Sequence, residues 1–110
     1  MCKVGDIFLA ELFAGGNVQS GIRPVIVVSN DKANTFSPVI TVIPVTGNIE
    51  KKPLPTHVYM RNCGLAKPCI ALGEQVTSIN KDQLVKRLGS IKQTVYEKQI
   101  RNALRVQFGM

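Results

Sequence analysis

Few side chains in this 110-residue sequence have the type and setting to do chemistry. Arg23 stands at the mouth of the apolar run "RPVIVVSN", directly after the polar, bendable stretch "NVQSG". Thr46 closes a second apolar run, "VITVIPVT", and Glu74 and Gln75 break a third, "IALGEQVTSI". Each is a polar group where an apolar element ends. If three such ends met at one rim, they would gather a guanidinium, a hydroxyl, a carboxylate and an amide. A guanidinium holds its charge at any physiological pH, and its fork of N–H donors matches a phosphate. Taken singly, each residue is equally an ordinary surface group at the point where a strand leaves the core.

The usual catalytic sets are missing. His57 in "PTHVYM" is the one histidine and has no partner in its neighbourhood of the sequence, so it reads as structural. No two carboxylates share a spacing suited to acid–base work. Cys2, Cys63 and Cys69 form no C-x-x-C pair, and five residues separate the last two, which suits neither a zinc knuckle nor a redox motif. They read as reduced thiols packed as small hydrophobes. There is no metal-ligand cluster and no phosphate-cradling glycine loop. An enzyme built from this sequence is expected to work without a metal, a cofactor or a histidine pair.

The bulk properties point to the partner. Hydrophobic residues make up 45% of the chain, enough for a core, and with no Trp and only two Tyr and four Phe that core is aliphatic. The length fits a single domain spanning residues 1–110. No run approaches a membrane span and the start lacks an apolar leader segment, so a cytoplasmic protein is expected. The net charge is +7, unevenly spread. Residues 1–50 carry three bases and four acids, residues 51–80 four and one, and residues 81–110 seven and two. Such a basic C-terminal part suits an anionic partner, with nucleic acid first and an acidic protein second.

The elements that must position these residues are mostly strands. Residues 4–12, 23–30, 38–46 and 56–60 are β-prone, and "VIVV" is an unbroken apolar run of the kind buried on both faces. Pro38 and Pro44 lie near the ends of their strand, as at edges or bulges. "CIALGEQVTSI" reads as a strand that loses its apolar character halfway. Asn80 reads as the N-cap of a helix over "KDQLVKRL", leaving "GSI" as a brief edge strand. Thr94, with Glu97 three residues on, predicts a capped helix that buries Val95, Tyr96, Ile100, Ala103, Leu104 and Phe108 and ends at Gly109. Five or six short strands followed by a helix predict a mainly β, α+β fold: a small, strongly bent antiparallel sheet or barrel with the helix over one side.

In order and spacing, "GDIFLAEL", "QSGIRPVIVVSND", "SPVITVIPVT", "KKPLPTHVYM", "EQVTSINK" and "RLGSI" resemble the MazF/PemK family of toxin endoribonucleases over nearly the whole chain. The G-x-R-P-V, L-P-T-H-V and E-Q blocks carry the resemblance together. It implies a barrel resembling SH3 folds and the gyrase toxin CcdB, a homodimer, and cleavage of single-stranded RNA. It also implies a cognate antitoxin whose acidic, flexible C-terminal segment covers the RNA groove. In the family, the arginine of G-x-R-P-V and the threonine ending the P-I/V-T strand are the catalytic pair, and they fall on Arg23 and Thr46. Gln19, Ser20, Lys52, Glu74 and Gln75 fall where RNA contacts are expected, with Lys51 beside them, and Glu74 is the carboxylate placed near the groove.

The sequence departs from the family pattern in two places. Val18 replaces a common glutamate of the first loop, and Asn17 takes the approximate place of a histidine found in some relatives. The common E-Q-I/V-R-T-I-D-K reads "EQVTSINK", with Thr77 for arginine and Asn80 for aspartate. These changes leave Arg23 and Thr46 intact and imply a different recognition sequence. Two other readings of the residues remain: a gyrase-poisoning toxin of the CcdB kind, whose C-terminal aromatic signature "QFGM" does not match, and a barrel that binds nucleic acid without cutting it.

Overall fold

Two β-branched runs organise the sheet. Gly21–Val27 (β2) and Val39–Thr46 (β3) pair antiparallel, and both lie inside the sheet. A computed structural model describes residues 2–13 and 18–110. Around this pair stand Asp6–Leu12 (β1), His57–Met60 (β4), Cys69–Leu72 (β5), Thr77–Asn80 (β6) and Leu84–Ser90 (β7). All pairings are antiparallel, in the order β4-β5-β3-β2-β1-β7, with β6 also on β3. A short helix, Asp31–Phe36 (α1), links β2 to β3, and its first turn is capped by Asn30, whose side chain accepts from the Ala33 N–H at 2.9 Å. Val95–Phe108 (α2) follows β7.

Both faces of the sheet are covered, which is why β2 and β3 read as continuous apolar runs. On one face Ile7, Ile26, Ile43, Val45 and Val58 pack beneath Ile100 and Ala103 of α2. On the other, Ala10, Leu12, Val25, Val27, Ile40 and Val42 pack with Cys2 and Ile79. Neighbours along β2 and β3 thus alternate between two cores. Pro44 falls at a handover: Val39–Val42 pair β6, whereas Val45 and Thr46 pair β5. A residue without an N–H is tolerated at such a gap.

The bent antiparallel sheet with a C-terminal helix expected from the sequence is present. Its two ends meet where the turn after β4 touches β7. Asn62, Cys63 and Gly64 all have positive φ. A Cβ on Gly64 would strike the Leu88 carbonyl, and one on Gly89 would strike the Cys63 carbonyl. The two backbones lie against each other there, so only glycine fits.

Three local readings change. The helix expected over "KDQLVKRL" is a single 3₁₀ turn, Lys81–Gln83, followed by β7. Asn80 does form a capping box with Gln83, but β1 then takes the chain as its outer neighbour from Leu84 onward, and tertiary pairing overrides helix propensity. "CIALGEQVTSI" is two strands, β5 and β6, separated by a 3₁₀ turn at Gly73–Gln75. In α2, Thr94 is the N-cap and Gly109 the left-handed C-cap as expected, but the Thr94 hydroxyl accepts from the Tyr96 N–H. Val95 and Phe108, assigned to the buried face, are exposed at 69% and 60%, because the helix touches the sheet mainly through its middle, at Ile100 and Ala103. The three cysteines are free, with Cys2 and Cys69 buried.

Candidate active site

The register of β2 against β3 decides which polar ends meet. The ladder runs Val27↔Val42, Ile26↔Ile43, Val25↔Pro44, and extending it by two residues sets Arg23 opposite Thr46. The paired positions stop at Val25↔Pro44, and beyond them lies a cavity of about 790 Å³ lined by both residues. Leu9, Pro24, Val45 and Leu88 contribute its apolar lining, and Gly64 to Lys67 also line it.

Arg23 is anchored twice. Its backbone is paired with Ala10 of β1, and its Nε donates to the Ser20 carbonyl at 2.9 Å. The rest of the guanidinium fork is exposed at the cavity. Thr46 is only 6% exposed, and its Oγ1 accepts from the Asn48 N–H at 3.2 Å. That contact leaves the hydroxyl hydrogen available as a donor. The lining carries three cationic side chains, Arg23, Lys51 and Lys67, and no Asp, Glu or His. The cavity is therefore electropositive without an internal counter-charge, a setting that favours a phosphate.

Of the residues singled out in the sequence, Arg23, Thr46 and Gln19 line this cavity. Gln19 is held from behind by its N–H, which donates to Gln75 Oε1 at 2.9 Å. Gln75 itself borders a smaller cavity of about 170 Å³, with Val18 and Thr77. Ser20 contributes its carbonyl to Arg23 rather than lining the space. Lys52 lies outside the lining and Lys51 within it. Asn17 lies outside the described residues.

Glu74 lies outside the lining of the cavity, in a half-buried clamp. Its Oε1 accepts from the Thr56 hydroxyl at 2.8 Å, and its Oε2 lies 3.1 Å from His57 Nε2. His57 Nδ1 accepts from the Leu54 N–H at 3.3 Å, which leaves the ring proton on Nε2 to be donated to Glu74. The His57 side chain is 3% exposed. Burial pushes the Glu74 carboxyl up, but the Thr56 hydroxyl, its own backbone N–H and His57 together hold it below the usual glutamate range. A carboxylate so engaged is a strut between β4 and the turn after β5. Among the described residues, no three His, Cys, Asp or Glu side chains are grouped to hold a metal ion.

Lys67, Asn48 and Gly47 were not singled out in the sequence. They come together because Thr46 pairs with Ile70, which sets the residues before β5 beside those after β3. Only that register could have revealed them.

The family model described as PemK-like, MazF-like toxin of type II toxin–antitoxin systems matches residues 3–108. The chain belongs to this family. It is 34% identical to the endoribonuclease MazF of Staphylococcus saprophyticus over 113 aligned residues, which cover all of this chain and 93% of that protein. Solved structures share the family fold. One is a mycobacterial endoribonuclease in complex with its cognate antitoxin, at TM-score 0.82, 21% identity, and 100% and 97% coverage of the two chains. Another is MazF of Deinococcus radiodurans, at TM-score 0.76, 20% identity, and 98% and 96% coverage. Among the described residues no helix is long and apolar enough to cross a membrane.

Proposed function

We propose that this chain is the endoribonuclease toxin of a toxin–antitoxin pair and cuts single-stranded RNA, messenger RNA included, in the cytoplasm. The observation that carries this reading is the meeting of Arg23 and Thr46 at one electropositive cavity. The RNA 2′-oxygen attacks the adjacent phosphorus, the bond to the 5′-oxygen breaks, and a 2′,3′-cyclic phosphate and a 5′-hydroxyl end are left. Negative charge builds on the non-bridging oxygens. Arg23 meets that charge with a fixed guanidinium, and Thr46 donates a hydrogen bond beside it. Gln19 faces the same space and contacts the RNA strand, while Ser20 and Gln75 hold Arg23 and Gln19 in place. Lys51 and the neighbouring Lys52 draw the backbone phosphates in.

The same surface suits an acidic, flexible antitoxin segment, which would compete with RNA for it. The working form is a homodimer, so sedimentation at micromolar concentration gives twice the 12.0 kDa chain mass. The decisive test incubates the purified chain with a long single-stranded RNA in EDTA, beside Arg23→Ala, and maps the ends by primer extension. Discrete cuts that resist EDTA and fall about a hundredfold in the variant are expected. Absence of cuts across varied RNAs would overturn the reading in favour of a gyrase poison or a non-catalytic binder.

A further inference from the structure

The chemistry above leaves one proton unaccounted for. The departing 5′-oxygen is a strongly basic alkoxide and leaves faster when an acid protonates it. The cavity lining holds no Asp, Glu or His to do so. Its ionisable hydrogens belong to Arg23, Lys51, Lys67 and Cys69. A guanidinium keeps its proton. The Cys69 thiol is raised by burial, against the pull of the nearby Lys67 charge, and donates to the Lys67 carbonyl at 3.1 Å. The two lysines remain.

The structure seats one of them. The end of the Lys67 side chain rests against the α-carbon of Gly47, the residue directly after Thr46. A Cβ built on Gly47 would lie 2.6 Å from Lys67 Cε and 2.9 Å from its Nζ, and the three atoms nearest to it outside the flanking residues all belong to Lys67. The missing side chain of Gly47 is therefore the berth of this ammonium. No carboxylate among the described residues lies within ion-pair distance of it; the carboxylates of Glu74 and Asp6 are engaged by His57 and Arg87. The turn that carries Lys67 is pinned at both ends, by the Cys69 thiol on its carbonyl and by the backbone contact of Gly64 with β7.

We propose that Lys67 is the general acid of the cleavage, an assignment that rests on the endoribonuclease reading above. The 2′-oxygen bonds to phosphorus and gives its proton to solvent water. The phosphorus–5′-oxygen bond breaks, its electron pair stays on the 5′-oxygen, and that oxygen takes a proton from the Lys67 ammonium. The amine regains its proton from solvent. Arg23 and Thr46 hold the phosphoryl oxygens throughout, and the berth on Gly47 places the acid beside Thr46.

The test compares ordinary RNA with the same RNA carrying a bridging sulfur in place of the scissile 5′-oxygen, because a thiolate leaves without an acid. Lys67→Gln is expected to slow cleavage of ordinary RNA by about a hundredfold or more, and to cut the sulfur-containing RNA within about threefold of the parent. Arg23→Ala stays slow on both, because it acts on the phosphoryl oxygens. Gly47→Ala, whose methyl group would displace the end of Lys67, is expected to slow cleavage on its own and to add no further loss to Lys67→Gln. Full activity of Lys67→Gln on ordinary RNA, or an equal loss on both substrates, would overturn the assignment. If the parent cuts neither RNA, the endoribonuclease reading itself falls, and the assignment with it.

Discussion

Thr46 is nearly buried at the end of a central strand, and its hydroxyl is the part of it that the proposed chemistry uses. Thr46→Val keeps the shape and removes the donor. It is expected to lower kcat about ten- to a hundredfold in single-turnover cleavage and to shift stability by only about 1 kcal/mol, from the lost contact with the Asn48 N–H. Glu74 predicts the opposite profile. Its carboxylate joins Thr56 and His57 outside the cavity lining, so Glu74→Gln should cost about 1–3 kcal/mol of stability in urea unfolding, with a much smaller effect on kcat than Thr46→Val. The sign of its pH dependence follows from the lowered carboxyl in the folded state. That contribution is complete above the unfolded glutamate value of about 4.3 and is lost as pH falls through the lower, folded value. Urea midpoints measured downward from pH 6 should fall less steeply for Glu74→Gln than for the parent.

At the scale of elements, two glycines on the rim of one cavity are expected to behave differently. Gly64 has a positive φ, and a Cβ there would meet the Leu88 backbone of β7, which cannot step aside. Gly64→Ala should therefore destabilise the chain by about 2 kcal/mol or more and lower Tm by several degrees. The atoms nearest to a Cβ on Gly47 belong to the flexible end of Lys67, so Gly47→Ala should leave Tm nearly unchanged while slowing cleavage. A calorimetric scan of the two variants separates a residue that closes the sheet from one that seats a charge. A charge run did not mark the site: Lys51 and Lys52 are adjacent in the loop between β3 and β4, yet only Lys51 lines the cavity.

For the whole molecule, the net charge of +7 sets how tightly RNA is held before any bond breaks. An RNA with a 2′-deoxy group at the scissile nucleotide binds without being cut. Three cations in the cavity predict that log K for such an RNA falls with log salt at a slope of about −2 or steeper, at roughly 0.7 per phosphate contact on a single strand. Removing Lys67 should reduce that slope by less than one unit, a modest change beside the large effect proposed on the chemical step. An acidic antitoxin segment should show the same sign of salt dependence in a competition titration.

By itself the sequence determined the antiparallel class, the two-faced burial of β2, the terminal helix with its caps, and the identities of Arg23 and Thr46 as candidates. These follow from apolar period, capping chemistry and a specific order of motifs, all of which are local or collinear. Tertiary structure decided the rest. Asn80 carries a genuine capping signal, but the helix it starts is a single 3₁₀ turn, because the free edge of β1 takes the residues from Leu84 onward as a strand. Glu74, polar and next to Gln75, reads like a groove residue until its two oxygens are seen to be taken by Thr56 and His57, eighteen and seventeen positions away. Lys67 joins Arg23 and Thr46 only through the pairing of β3 with β5. Cross-strand register brings together residues that no local pattern links, and the composition of this cavity depended on that register.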